Sequence, residues 1–293
     1  MAYSEPLGRV VVLGGYLPPA PAVESVWGWN GAEWTHLATA SGSVPQARTL
    51  SALSYDTARR CLVMFGGMSP IHQSRYGDVW EFSNGSWADR SVPDGPGPRD
   101  HHACACDEAR GEIVVYGGQD PERKWARDTW LWNGRAWRRV ESDNPGERAH
   151  HAMAYDGRRS RVVLHGGFGS DGGNRGDTWE WDGAGWRMAT TDGPPPRSHA
   201  RLAYDAARGL TVMFGGRARN VSGQLSPTDE TWLWDGARWH EAAPAVRPLA
   251  RTVHALAYDR RRQRVVLFSG GAALEATQAD TWEWDGASWT RRG

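Results

Sequence analysis

The chain has 293 residues with 34 basic and 34 acidic side chains, so it carries no formal net charge. That balance excludes the global field that would draw it to nucleic acid or to an anionic membrane. No apolar run approaches the roughly 20 residues of a membrane span, and Met1 to Gly15 lacks a basic segment followed by an apolar core, so the expected compartment is the cytoplasm.

Lysine occurs once, as Lys124, a usage typical of a high-GC bacterial genome. The three cysteines, Cys61, Cys104 and Cys106, give no disulfide framework and are expected to be reduced. His102 shares a predicted strand face with Cys104 and Cys106, but three ligands on one strand rarely converge on a metal.

Three segments recur along the chain. The first reads RTLSALSYD from Arg48, RDHHACACD from Arg99, RAHHAMAYD from Arg148, RSHARLAYD from Arg197 and RTVHALAYD from Arg251, and is a predicted strand. The second is an apolar strand closed by glycines: GRVVVLGG, CLVMFGG, EIVVYGG, RVVLHGG, LTVMFGG and RVVLFSGG. Taking the first glycine of each pair, the intervals are 66−14=52, 117−66=51, 166−117=49, 215−166=49 and 270−215=55. The third is a tryptophan hairpin, clearest at Asp177 to Trp186, in which Trp179 and Trp181 alternate with smaller or polar residues. An Asn-Gly or Asp-Gly pair at each of its turns predicts a two-residue type I′ connection. Seventeen of the 18 tryptophans fall in these hairpins, and only Trp125 lies outside them. Tryptophan is therefore mainly architecture.

A period near 50 residues with four strands per unit is the pattern of a propeller blade. The expected fold is all-β, a six-bladed β-propeller of four-stranded antiparallel blades, in one domain spanning 1–293. The glycine pair, the Trp-x-Trp and the spaced tryptophan resemble a kelch-repeat propeller of the galactose-oxidase central-domain type over essentially the whole chain. That family includes oxidases, a sialic acid mutarotase and many protein-binding modules, so the resemblance implies a fold and no single activity. Blade 1 begins at the end of its first strand, since Ala2-Tyr3 aligns with Ala154-Tyr155, and only Thr290 to Gly293 follow Trp289. A partner strand at that edge is one way to complete it.

The loops after the glycine pairs differ from blade to blade, and what one blade alone carries is free for function. They supply the candidate binding residues Tyr16, Gln119, Trp125, Phe168 and Arg217, with Lys124 and Arg219 beside them. Arg48, Arg99, Arg148, Arg197 and Arg251 are expected at the same face, where they could attract a small anion or an acidic peptide. The competing expectation is pairing with Asp78, Asp128, Asp177 and Asp280. His101, His150 and His199 recur at intervals of 49 and 49; the expectation for them is hydrogen bonding between blades, and the alternatives are acid–base groups or, tilted inward, a tri-histidine site for a divalent metal. Asp100 could orient such an imidazole.

The leading expectation is recognition of a small anionic molecule or acidic peptide, with no cofactor required. The alternatives are a non-redox enzyme of the isomerase or cyclase type and a protein-interaction scaffold. A copper radical oxidase does not fit, because the paired tyrosines, the crosslinking cysteine and the further domain of that chemistry have no counterpart here.

Overall fold

The computed structural model describes residues 1–14, 25–37, 43–272 and 278–293. Among them there is no helix, and thus none long and apolar enough to cross a membrane. The chain divides into two compact units, Met1–Ala149 and His150–Gly293.

The first unit holds three four-stranded antiparallel sheets, each a meander in sequence order. They are β1 (Ala2–Ser4), β2 (Arg9–Leu13), β3 (Val26–Trp29) and β4 (Trp34–Leu37); β5 (Ala52–Asp56), β6 (Cys61–Phe65), β7 (Val79–Ser83) and β8 (Ser86–Asp89); and β9 (Ala103–Asp107), β10 (Glu112–Tyr116), β11 (Thr129–Trp132) and β12 (Trp137–Val140). The opening strand β1 is short but paired, with Ala2 opposite Val11 and Tyr3 opposite Val10. This matches Ala154 opposite Val163 and Tyr155 opposite Val162 in the second unit.

The second unit begins with β13 (Ala152–Asp156), β14 (Arg161–His165), β15 (Thr178–Trp181) and β16 (Trp186–Thr190) in one sheet. Next come β17 (Arg197–Ser198), β18 (Arg201–Asp205), β19 (Leu210–Phe214), β20 (Arg217–Arg219), β21 (Leu225–Pro227), β22 (Thr231–Trp234) and β23 (Trp239–Ala242). Strands β18, β19, β22 and β23 form a four-stranded sheet, while β17, β20 and β21 form an additional three-stranded one. The final sheet is β24 (Ala255–Asp259), β25 (Arg264–Phe268), β26 (Thr281–Trp284) and β27 (Trp289–Arg291). Repeated four-stranded antiparallel sheets of this kind are consistent with a propeller-like fold.

The second strand of each four-stranded sheet is mostly apolar because both its faces are covered. Val10, Val11, Val114, Val115, Val162, Val163, Val265 and Val266 are all fully buried. First strands of successive sheets lie side by side: β5 beside β1 and β9 in the first unit, and β18 beside β13 and β24 in the second. The second tryptophan of each hairpin, as in Trp132, Trp181, Trp234 and Trp284, is almost wholly removed from water. Each such indole removes about 200 Å² from solvent and contributes on the order of several kcal/mol before entropy is subtracted.

The hairpin turns differ from the sequence expectation. Trp181 pairs with Trp186 across four residues, and within that loop Gly183 has φ of 98° while Asp182 stays outside the left-handed region. Asp182 Oδ1 instead accepts from the backbone N–H groups of Ala184 and Gly185 at 2.9 and 3.0 Å, so the side chain closes the turn. Only Asn84-Gly85 has both residues left-handed, at 51° and 75°, joining Ser83 to Ser86 by a two-residue loop. Its Asn-Gly pair sits one place later relative to the flanking aromatics Phe82 and Trp87, and that shift changes the turn. A second correction concerns the last glycine pair. Arg251 donates to the Ser269 carbonyl as Arg48 does to that of Gly66, so the structural equivalents are Ser269-Gly270, and the final interval is 269−215=54.

Candidate binding site

The repeated arginines are buried and engaged. Arg48 lies 2.5 Å from Asp78, Arg99 2.7 Å from Asp128 and Arg251 2.6 Å from Asp280. Arg197 meets Glu230 at 2.5 Å, an acid that the aspartate pattern had not anticipated. Arg148 is 1% exposed and donates to the Pro145 carbonyl. The guanidinium groups of Arg48, Arg99, Arg197 and Arg251 also donate to the carbonyl of the residue that follows the second strand, at Gly66, Gly117, Gly215 and Ser269.

Each acid in turn accepts from the first indole of its hairpin: Trp80 to Asp78, Trp130 to Asp128 and Trp282 to Asp280 at 2.7 Å, and Trp232 to Glu230 at 2.9 Å. Burial raises the pKa of Asp78, Asp128 and Asp280, but the bonds and charge of the partner arginine, together with the indole, outweigh it and hold all three below the usual carboxylate range. An arginine–acid–tryptophan unit thus ties the first strand to the hairpin of its own repeat.

His101, His150 and His199 share an unusual backbone. Their φ values are 55°, 57° and 60°, and Leu50 and Val253 at the equivalent positions have 59° and 50°. In the first unit, His101 Nδ1 donates to Asp100 Oδ1 at 2.9 Å, and Arg75 approaches the other carboxylate oxygen at 3.0 Å. Burial raises the Asp100 pKa, yet His101 and Arg75 together bring it below the ordinary carboxylate value. In the second unit, His150 and His199 stack with ring centroids 3.8 Å apart and an angle of 28°, and His199 Nδ1 lies 3.0 Å from Ser198 Oγ. Stacking turns the ring planes toward one another rather than aiming two nitrogens at one point. Among the described residues, no group of three or more His, Cys, Asp or Glu is placed to hold a metal ion.

The neighbouring histidines are interior. His102 is held near the Phe65 carbonyl at 3.2 Å, and burial pushes its pKa down to about 3. Cys104 and Cys106 are both free thiols pushed up to about 12 by burial.

A cleft of about 450 Å³ opens in the first unit between the segments Pro96–Arg99 and Asp120–Asp128, with Arg139 of β12 at its side. Backbone pairing builds its wall: Asp100 and Gln119 exchange hydrogen bonds at 3.0 and 2.9 Å, and Gln119 bridges to Trp125. Asp120 Oδ1 then accepts from the N–H groups of Glu122 and Lys124, both at 2.9 Å, which fixes the loop. Trp125 is half-buried against it, while Lys124, Arg127 and Arg139 are exposed. Two of these cations meet acids that are themselves exposed, Lys124 with Glu122 at 2.6 Å and Arg139 with Glu141 at 3.2 Å. Exposed pairs of this kind are screened by water and contribute little, so a ligand can redirect them at little cost.

Gln119 and Trp125 are therefore brought together, and the structure adds Pro98, Arg127 and Arg139 to them. Phe168 and Arg217 lie in the second unit, where Phe168 bridges to Asn174 and the Arg217 carbonyl accepts from Asn174 Nδ2 at 2.9 Å. Tyr16 lies outside the described residues. Arg139 was not singled out from the sequence, because it sits in a strand whose exposed positions vary freely. No protein-family model matches the chain, and no curated protein matches it.

Proposed function

We propose that the six repeats are blades of a kelch-type propeller and that the protein recognises a small anionic molecule or an acidic peptide in the cleft beside Trp125. The observation that supports this reading is the convergence of a half-buried indole, three exposed cations and the prolines Pro96, Pro98 and Pro121 around one open volume. Trp125 is the one tryptophan that no repeat position requires, so its cost to the chain is offset by something other than the blade. An indole face supplies apolar contact and a fixed wall, while Lys124, Arg127 and Arg139 supply charge that can turn toward a carboxylate. The acids on the same wall do not oppose this, because Asp128 is already neutralised by Arg99 and Asp120 is bound by its own loop.

Calorimetric titration with a hexaglutamate peptide and with citrate tests the reading. Wild type binds at least one of the two, and both Trp125→Ala and the pair Arg127→Ala/Arg139→Ala lose the heat while keeping the wild-type melting temperature. Unchanged binding in the variants, or heat with neither probe in wild type, counts against it.

A second reading, acid–base catalysis by histidine, is favoured by the His101–Asp100 pair and by the left-handed backbone that three histidines share. Non-glycine residues held in that region are often found where function maintains strain. Leu50 and Val253 adopt the same conformation with no chemistry to perform, which leaves the conformation explained by the repeat and places this reading second.

A further inference from the structure

One position separates the Trp125 cleft from its counterparts in the other repeats. Two residues before the acid of each arginine–acid pair stand Tyr76, Ala126, Arg175, Thr228 and Gln278. Their backbones are equivalent. The N–H of each donates to the carbonyl of the second residue of its glycine pair, at Gly67, Gly118, Gly167, Gly216 and Gly270, over 2.8 to 2.9 Å. Their side chains are not. In the first unit the guanidinium carbon of Arg48 lies over the Tyr76 ring, 4.1 Å from its centroid. In the second unit Thr228 Oγ1 accepts from Arg197 at 3.2 Å, Gln278 Oε1 accepts from Arg251 at 2.8 Å, and Arg175 pairs with Asp171 at 2.9 Å. Only Ala126 ends at Cβ.

The consequence falls on Arg99. Its Nη1 donates to the Gly117 carbonyl at 3.1 Å and to Asp128 Oδ1 at 2.7 Å, while Nη2 donates to Asp128 Oδ2 at 3.1 Å and to the Pro96 carbonyl. An anion could bind these two nitrogens only by displacing bonds already made, and Asp128 has neutralised the charge. The flat face of the guanidinium is a separate surface. Tyr76 covers it in the Arg48 repeat, whereas Arg99 and Ala126 both line the open cleft of about 450 Å³. The Arg99 side chain is accordingly the most exposed of the set, at 7% against 3% for Arg48 and 0% for Arg197 and Arg251.

Alanine in the place of tyrosine leaves room for a ring of that size, and the cleft volume lies in the range that small-molecule sites occupy. A guanidinium fixed by four hydrogen bonds offers a flat cation, to which an aromatic face is attracted and a saturated ring is not. Lys124, Arg127 and Arg139 stand exposed around the same volume.

We infer that the cleft takes an aryl carboxylate, whose ring lies on the Arg99 guanidinium as Tyr76 lies on Arg48 and whose acid group meets Lys124, Arg127 or Arg139. The inference rests on the anion reading of this cleft and narrows it to a flat aromatic acid. Citrate and an acidic peptide bring the charge without the ring.

Calorimetric titration of the whole protein with phenylacetate and with cyclohexylacetate tests this, because the two share the acid and the spacer and differ in the ring. Wild type binds phenylacetate more tightly than cyclohexylacetate, by the roughly two- to thirtyfold that a cation–π contact supplies. Ala126→Tyr and Ala126→Gln carry the side chains of the Arg48 and Arg251 repeats. Both lose the phenylacetate heat, and neither melts below wild type. Equal affinity for the two acids, wild-type phenylacetate binding in either variant, or a melting temperature that falls in both variants would each overturn the inference. Silence with phenylacetate while hexaglutamate or citrate binds sinks the aromatic assignment and leaves the anion reading standing, and silence with all four probes removes both.

Discussion

Removing the Arg251 side chain tests whether the arginine–acid–tryptophan unit holds each repeat together. Arg251 is fully buried and donates to Asp280 at 2.6 and 3.1 Å, to Gln278 Oε1 at 2.8 Å and to the carbonyls of Leu249 and Ser269 at 3.0 Å. In Arg251→Ala, Asp280, only 7% exposed in the native protein, keeps the Trp282 indole as a donor but loses the guanidinium, and two carbonyls lose their bond. Breaking a buried pair from one side costs about 3–5 kcal/mol, because the surviving charge is left without compensation. At a few degrees per kcal/mol for a chain of this size, the melting temperature falls by roughly 10 °C. Urea unfolding gives the same quantity as a lower midpoint with an unchanged slope.

The pH dependence carries a sign. Asp280 has its pKa depressed in the folded protein, so it contributes stability above the unfolded carboxylate value, and this is lost as pH falls through the folded value. Without Arg251 burial dominates and the folded pKa rises above the unfolded value, so the sign reverses: protonation of Asp280 favours the folded state, and the deficit of Arg251→Ala shrinks as pH falls. Replacing both partners, Arg251→Met with Asp280→Leu, recovers most of the stability, since no charge is left buried. An Arg251→Ala protein within about 1 kcal/mol of wild type, the range of an exposed pair, would refute the reasoning.

Three further outcomes follow from local geometry. Gly118→Ala places a Cβ 2.5 Å from the Asp100 carbonyl oxygen at a φ of 96°, and should cost roughly 3 kcal/mol in urea unfolding. Val253→Asn does the reverse: a β-branched residue at φ 50° with 43% exposure gives way to one that tolerates the left-handed region, and the midpoint should rise by the equivalent of about 1 kcal/mol. Cys61, at about 11, and Cys104 and Cys106, at about 12, should not react with Ellman's reagent at pH 8 until urea unfolds the protein. A thiolate fraction of about a thousandth or less explains the delay, and prompt release of three equivalents would contradict the burial assigned to them.

Much of the architecture could be read in the sequence because it depends on period. Alternating tryptophans, apolar second strands and the recurring arginine segment each report a strand and its buried face, and β13 to β16 follow that pattern residue by residue. Turn type was less legible. Asp182-Gly183 and Asn84-Gly85 look alike, but the loop is decided by where the pair falls between the flanking aromatics, so that one place separates an aspartate-closed four-residue loop from a two-residue one. Pairing of the arginines was anticipated as an alternative to anion binding, yet Glu230 shows that a longer acid can occupy the aspartate's place.

The Trp125 cleft was half legible. A tryptophan outside the repeat marked the loop, whereas Arg139 reaches the same volume from a different part of the repeat and gives no local signal.

The most direct test of recognition at the Trp125 cleft is native mass spectrometry of gently purified protein beside its denatured mass, for wild type and Trp125→Ala. The account predicts an organic, acidic adduct that wild type carries and the variant lacks. A bare wild-type mass, or an adduct that Trp125→Ala retains in full, would contradict it.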